Sequence, residues 1–196
     1  MSWDMKQKNV VILNGTATVG KNEFVKQLSE LVKVKHISSI EKYKNILKEF
    51  FKPEYDETCK DDSVRKFLSD FKALAVKHFN DSYHEMMQKI FEFFESDDDV
   101  NILFIDIREP EEIQKIMDQF HNDEITTVLI TNPNKECNMS NDSDANVFDF
   151  TYDWIIENDG TIEDLKEKAK IFYEGLLPHF VLTPAKGDEQ DVTNLQ

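Results

Sequence analysis

Residues 10–22 of this chain read VVILNGTATVGKN, and this stretch decides the fold. A short apolar run rich in β-branched residues, typical of a buried strand, leads into a loop bounded by Gly15 and Gly20. Lys21 then opens an amphipathic helical pattern. This order of parts is that of the phosphate-binding P-loop, G-x-x-x-x-G-K-[ST]. Asn22 departs from the signature, because a Ser or Thr hydroxyl normally stands there to reach Mg²⁺.

A P-loop binds phosphate through its backbone. Its glycines allow a sharp turn that aims successive N–H groups inward, and the following helix adds the positive end of its dipole. Lys21 is predicted to contact the β- and γ-phosphates of a nucleotide, and the amide oxygen of Asn22 can meet a cation or a bridging water. The predicted nucleotide-binding residues are Gly15, Thr16, Ala17, Thr18, Val19, Gly20, Lys21 and Asn22.

Buried strand patterns alternate with helical patterns along the rest of the chain. The predicted strands are 9–14, 34–37, 100–107, 125–131 and 152–157. The predicted helices are 23–32, one from Ser38 or Ser39 to before Pro53, 63–79, 82–94, 110–120 and 161–177. This alternation predicts an α/β fold with a parallel sheet and helices on both faces. We expect one domain over 1–178 and a flexible tail over 179–196.

Three further side chains are candidates for phosphate chemistry. Asp106 and Arg108 end the most apolar central strand, where parallel sheets bind ligands, and an Asp there can hold Mg²⁺ through water. A local salt bridge is the alternative role for both. Arg65 begins a predicted helix, and its alternative role is that of a solvated helix-start residue. Because Arg65 and Arg108 are the only two arginines, any guanidinium contact to phosphate uses one of them.

Composition restricts the class of partner. The 39 acidic and 23 basic residues give a net charge of −16, which repels nucleic acid polymers and leaves small phosphorylated molecules as partners. No apolar run approaches the ~18 residues that span a bilayer, and the first residues lack the shape of a signal peptide. Cys59 and Cys137 form no C-x-x-C pair. We therefore expect a cytoplasmic protein with no membrane contact; its oligomeric state is not readable from the sequence.

Three segments together resemble one family. Residues 15–22 resemble the variant P-loop ending Gly-Lys-Asp of the phage-type deoxynucleoside monophosphate kinases and animal-type phosphomevalonate kinases. Residues 106–113, DIREPEEI, are similar to the Asp-Val-Arg-x-Pro-x-Glu segment that ends their third strand. Residues 143–144 and 153–161 resemble the Ser-Glu pair and the strand Asp-Tyr-Val-Ile-x-Asn-x-Gly-Thr that follow their lid. The segments occur in the family's order over about 150 residues.

The resemblance implies a three-layer P-loop NTPase fold of the nucleoside-monophosphate-kinase type, with a five-stranded parallel core. It further implies an acceptor-binding helical region at about 38–95 and a lid at about 132–148. ATP and Mg²⁺ are the implied cofactors, with transfer of the γ-phosphoryl to a monophosphate. By position, Lys21 would hold the donor phosphates, Asn22 and Asp106 would support Mg²⁺, Arg65 and Arg108 would grip the acceptor phosphate, and Lys135 would be the cation of the lid.

The chain also departs from the family. Asn22 replaces an acid, Asp144 stands where the family has Glu, and the lid offers Lys135 where relatives carry arginines. A finger arginine contributes ~10³-fold or more to the rate of phosphoryl transfer. The first hypothesis is an ATP-dependent phosphotransferase acting on a small monophosphate, in first place a (deoxy)nucleoside monophosphate. The alternatives are a non-catalytic nucleotide-binding protein on the same fold and an interaction protein that binds no nucleotide.

Overall fold

The computed structural model describes residues 5–52, 54, 61–120, 124–135, 146–179 and 181–184. Five parallel strands form the centre in the order β2-β3-β1-β4-β5, which confirms the predicted sheet. A sixth strand, β6, pairs with β1 in the antiparallel direction. The strands are β1 (Met5–Asn14), β2 (Val34–Ser38), β3 (Ile102–Asp106), β4 (Ile125–Thr131), β5 (Trp154–Glu157) and β6 (Val181–Pro184).

The helices lie close to their predicted positions. The one after β2 is interrupted, because α2 runs into a single π-helical turn at Leu47–Phe51. Asp61 caps the helix that begins at Asp62 by accepting from the backbone N–H groups of Ser63 and Val64, and Thr161 with Asp164 forms a capping box at the helix that begins at Ile162. The helices are α1 (Lys21–Ser29), α2 (Glu41–Ile46), α3 (Asp62–Phe79), α4 (Asp81–Glu95), α5 (Pro110–Met117) and α6 (Ile162–Leu176).

The sheet is buried on both faces, so its strands are apolar almost throughout. On β1, Val11 and Leu13 face one core, and Val10 and Ile12 face the other. The first core is closed by α1 and α6, and the second by α4 and α5. This is the three-layer arrangement that the sequence predicts.

The helical region after β2 has a small core of its own. Tyr43 and Leu47 pack there with Val64 and Leu68 of α3, and the four side chains are almost fully buried. This cluster lies within the segment 38–95 that the family resemblance assigns to acceptor binding. The helices α2 and α3 therefore pack against each other through a core that is separate from the two cores of the sheet.

The C-terminal segment differs from the sequence-based expectation. Residues 181–184 were expected in a flexible tail, but they form β6, whose backbone pairs with residues 5–8 of β1. At these positions the structure differs from the expected tail, because the backbone of residues 5–8 of β1 pairs with the returning chain. The middle of the predicted lid, 136–145, and both cysteines lie outside the described residues.

Among the helices that the structure describes, none has the length and apolar character needed to span a bilayer.

The pairing of β1 brings the functional candidates to one edge of the sheet. Leu13 is in register with Asp106 of β3, and Asn14 with Leu129 of β4. All five parallel strands end at this edge, so the P-loop, Asp106 and the residues after β4 and β5 gather there.

Lys8 stabilises the opposite edge. Its side chain is fully buried, and its Nζ donates to the carbonyl of Phe93 at 2.5 Å and to the carbonyl and Oγ of Ser96, each at 2.7 Å. These acceptors lie at the C-terminal end of α4, where the last carbonyls lack the usual N–H donor of the next turn, although the Phe93 carbonyl also accepts from the N–H and Oγ of Ser96. The ammonium also lies 4.8 Å from the centroid of the Phe93 ring. Lys8 therefore anchors α4 to β1.

We predict that Lys8→Met lowers the free energy of unfolding by about 2–3 kcal/mol, because the substitution leaves buried carbonyls without their charged donor. Urea titration followed by circular dichroism measures the change. Lys26→Met is the matched control, since it removes the same charge from a side chain that is 68% exposed, and we expect less than about 0.5 kcal/mol there. Equal losses in the two variants would contradict the anchoring role.

Candidate functional site

The loop after β1 has the backbone of a phosphate cradle. Gly15 and Gly20 have φ values of 141° and 104°, which L side chains rarely adopt. A Cβ at Gly15 would collide with the carbonyl of Ile130, and one at Gly20 with the amide of Asn158. Thr18 is also left-handed, with φ 67°, which is uncommon for a β-branched residue. Both glycines are therefore required by conformation and by space.

Lys21 holds the first half of this loop. Its Nζ donates to the carbonyl of Gly15 at 2.5 Å and to that of Thr16 at 3.0 Å. The side chain thus lies across the loop that precedes it. Lys21 is also the lysine that the signature predicts to contact phosphate.

The second half is held from the neighbouring strands. Lys135, which follows β4, donates to the carbonyl of Thr18, and the Nδ2 of Asn158, which follows β5, donates to that of Val19 at 2.8 Å. The backbone N–H of Asn158 is itself bonded to the Thr131 carbonyl at 2.7 Å, which ties its position to β4. The carbonyls of the loop are consequently turned toward protein donors.

The N–H groups that follow Gly15 in this loop differ from its carbonyls. Among the residues that the structure describes, none accepts a hydrogen bond from the backbone N–H of residues 16–20. Unpaired backbone donors are costly unless water or a ligand meets them. Bound carbonyls and available N–H groups at a helix N-terminus are the features that an anion site requires.

A buried amide side chain stands at the start of the loop, and the local sequence gives no signal of its role. The fully buried Asn14 accepts from the N–H of Gly15 at 2.7 Å through Oδ1. Its Nδ2 donates to the Tyr152 hydroxyl at 2.7 Å and to the Arg108 carbonyl at 3.2 Å. The hydroxyl donates in turn to the carbonyl of Val147 at 2.8 Å. Burial raises the pKa of Tyr152 to about 12, so the phenol stays protonated.

Asp106 is the last residue of β3 and lies beside the loop. Its Oδ1 is 3.0 Å from Nε2 of His36 on β2, and its side chain is 19% exposed. Asn22, in the first turn of α1, is exposed. The described residues contain no group of three or more His, Cys, Asp or Glu that could hold a metal. One carboxylate with an amide oxygen fits Mg²⁺ that is otherwise held by nucleotide phosphates, which is its usual mode of binding.

The two arginines occupy different places. Arg108 follows β3, and its main chain is bonded to Asn14 at the start of the P-loop. Arg65 lies in the first turn of α3, where its Nη1 is 3.4 Å from Oδ1 of Asp62 and its side chain is 39% exposed. The structure therefore brings Lys21, Asp106, Arg108 and Lys135 to the sheet edge, whereas Arg65 stays on the helical region.

A buried ion cluster, also missed from the sequence, joins α3 to this edge. Lys72 is 5% exposed, and its Nζ is 2.7 Å from Glu109, 3.1 Å from Glu112 and 2.8 Å from the Oγ of Ser39. Ser82 donates to the other oxygen of Glu112. A mid-helix lysine suggests a solvated face, but the buried positions Val64, Leu68 and Lys72 are spaced by four, and this spacing was the available signal.

The Glu109 carboxylate shows the balance in this cluster. Burial acts to raise its pKa, but the adjacent Lys72 ammonium and its hydrogen bond outweigh burial, so the pKa of Glu109 lies below its ordinary value. Arg108 acts in the same direction. Glu109 is therefore ionised wherever the protein is folded at neutral pH.

Solved structures with a similar fold include two kinases. The chain is similar to a thymidylate kinase from Candida albicans, with 13% identity, 90% of this chain and 98% of that chain covered, and a TM-score of 0.52. It is also similar to a putative kinase from Chloroflexus aurantiacus, with 11% identity, 89% and 98% covered, and a TM-score of 0.50. At these identities the similarity shows the P-loop kinase fold alone.

Sequence comparisons add little. A family model described as ATP synthase (F/14-kDa) subunit matches residues 63–147, which is less than half of the chain. The matched segment contains β3 and β4, which flank β1 in the one sheet, so it is no separate domain. A search of curated protein sequences finds no match.

We predict that Glu109→Gln lowers stability at pH 7 by about 1 kcal/mol, with partial exposure keeping the loss small. The folded pKa is the lower one, so the contribution is present above the unfolded pKa of about 4.3 and is lost as pH falls through the folded pKa. Urea titrations from pH 7 to pH 3 should show the two curves converging in acid. Glu167→Gln, at an exposed site on α6, is the control and should stay parallel to wild type; parallel curves for Glu109→Gln would refute the pairing.

Proposed function

We propose that this protein is an ATP-dependent phosphotransferase that moves the γ-phosphoryl of ATP to a small monophosphate, in first place a (deoxy)nucleoside monophosphate. The observation that carries the proposal is the P-loop itself. Protein donors bind the carbonyls of Gly15, Thr16, Thr18 and Val19, and no described residue accepts from the N–H groups of residues 16–20, which are therefore available to an anion. The P-loop kinase fold supports the same reading.

The proposed donor site uses the loop and its lysine. Backbone N–H groups of residues 16–20 bind the phosphates, and the Lys21 ammonium neutralises the β- and γ-phosphates from its position across the loop. Asp106 and Asn22 would hold Mg²⁺, which when bound offsets the charge of the phosphates. His36 orients the Asp106 carboxylate from β2.

The proposed acceptor site lies between the sheet edge and the helical region. We assign the acceptor phosphate to Arg108, and the bond between its main-chain carbonyl and Asn14 at the start of the P-loop supports this assignment. Arg65 would join it from α3, the helix that Lys72 connects to Glu109 at the sheet edge. With a net charge of −16 over the chain, these local cations favour a small anion over a nucleic acid polymer.

A second candidate function, a nucleotide-binding protein without transfer, is favoured by one observation. Lys135 is the cation expected from the lid, yet it donates to the carbonyl of Thr18 and so takes part in holding the loop. A lysine used in this way supplies less charge to a transferring phosphoryl than a finger arginine does. This candidate predicts ATP binding without product.

The test is a thermal-shift screen with ATP–Mg²⁺ and each (deoxy)nucleoside monophosphate and phosphomevalonate, followed by product analysis. We expect ATP–Mg²⁺ to raise the melting temperature and one monophosphate to be phosphorylated. Lys21→Ala should weaken ATP binding more than about tenfold, because a charged hydrogen-bond donor to phosphate is lost. Lys26→Ala, an exposed lysine on the same helix, is the control and should bind as wild type.

The outcomes separate the hypotheses. Binding of ATP without product supports the second candidate. If ATP–Mg²⁺ does not raise the melting temperature, the hypothesis of an interaction protein that binds no nucleotide is favoured. Unchanged binding by Lys21→Ala would refute the P-loop site.

Asn22 is testable by restoring the acid of the related kinases. We predict that Asn22→Asp lowers the Mg²⁺ concentration needed for half-maximal ATP binding about threefold or more, since a carboxylate is a better ligand for Mg²⁺ than an amide oxygen. Calorimetric titration of ATP at several Mg²⁺ concentrations measures it. Asn101→Asp adds the same charge just before β3, at the strand end away from the loop, and should leave the requirement unchanged. An unchanged requirement in Asn22→Asp would place residue 22 away from the metal.

A further inference from the structure

The parallel ladder between β1 and β3 ends just before the site. Its last positions in register are Leu13 and Asp106, and one more bond follows, from the N–H of Ile107 to the Leu13 carbonyl at 3.3 Å. Gly15 and Arg108 lie beyond it, so the sheet itself does not fix them to each other. Beyond this point, the side chain of Asn14 connects the two segments.

We propose that Asn14 and Tyr152 are positioning residues that lock the P-loop to Arg108, so that the proposed donor and acceptor phosphate sites keep one relative position. The proposal rests on the proposed function for its catalytic consequence. Its structural content, a coupling between three backbone segments, stands on the hydrogen bonds of one buried amide.

The Asn14 amide joins two backbones through one rigid plane. Oδ1 accepts from Gly15 at 2.7 Å, and Nδ2 donates to Arg108 at 3.2 Å. Since the two atoms belong to the same planar group, the P-loop and the β3 end cannot shift apart without breaking one of these bonds. Aspartate would set a second acceptor against the Arg108 carbonyl, and leucine would leave the buried groups unpaired.

Tyr152 fixes the orientation of that plane. Its hydroxyl accepts from Nδ2 of Asn14 and donates to the Val147 carbonyl, so both of its hydrogen-bonding roles are used. The ring is 9% exposed and lies against Phe150, with 5.0 Å between centroids. The segment before β5 is thereby connected to the start of the P-loop, 138 positions away in sequence.

The consequence for transfer is one of alignment. Phosphoryl transfer depends on placing donor and acceptor within reach, and a misplacement of about 1 Å can cost ~10²-fold in rate. An interlock that touches neither phosphate can therefore affect the rate while leaving ATP contacts in place.

Hydrogen exchange tests the interlock without any ligand. Tyr152→Phe keeps the ring and removes the hydroxyl. We expect amide exchange to rise about fivefold or more at the bonded N–H groups of Gly15 and Ile107, read in peptides covering 14–20 and 107–109, and also in 146–152. Asn14→Ala should give the same pattern, more strongly at Gly15. Tyr43→Phe is the matched control, because it removes a hydroxyl that donates to Asp81 at 3.2 Å in the helical region, and it should leave 14–20 and 107–109 unchanged.

Exchange that rises only in 146–152, or uniformly through the cores, would overturn the interlock. With the acceptor found in the screen above, Tyr152→Phe should lower kcat about tenfold and change the Kd for ATP less than about threefold. A higher KM with unchanged kcat would also overturn it. Absence of transfer by wild type would refute the proposed function alone, since the exchange result judges the interlock separately.

Discussion

The pairing of β1 with β3 on one side and β4 on the other is the constraint on which the rest of this structure depends. It places Asn14 beside the ends of both neighbours, in register with Leu129 of β4 and one step past the Leu13–Asp106 pair. Because the strands are parallel, their carboxyl ends meet at one edge, and the chain leaves each strand toward the same space. The phosphate cradle, Asp106 and Arg108 are neighbours for this reason.

Within that frame, the P-loop is shaped by where its carbonyls bind. Lys21, Lys135 and Asn158 each donate to carbonyls of the loop, and they come from three different elements. A backbone unit that turns its carbonyl to one side presents its N–H to the other. The proposed anion site therefore follows from the hydrogen bonds that hold the loop carbonyls, and the side chains that donate these bonds need not contact the ligand.

Buried polar side chains connect the layers in three places. Lys8 holds the end of α4, Lys72 joins α3 to Glu109 and Glu112, and Asn14 joins the P-loop to Arg108 and Tyr152. Burying each of these polar side chains costs free energy, and each is matched by hydrogen-bonding partners. Removing one of the side chains therefore leaves its own partners unpaired. The last two lie at the functional edge, where the position of a few atoms matters most. They therefore couple the architecture of the chain to the chemistry that we propose for it.

The sequence by itself determined the alternating strands and helices, the parallel sheet and the P-loop, because these depend on local periodicity and on glycines at fixed spacing. It also determined that Asp106 and Arg108 follow a central strand, since apolar runs mark strands buried on both faces. Only the tertiary structure decided the roles of Asn14, Lys72 and Asn158, whose partners, apart from Gly15 beside Asn14, lie 27 to 139 positions away. It also decided that residues 181–184 return to β1. Local patterns carry no information about partners so distant in sequence: the spacing of Val64, Leu68 and Lys72 indicates a buried position, but it does not identify Glu109 or Glu112 as the partners of Lys72.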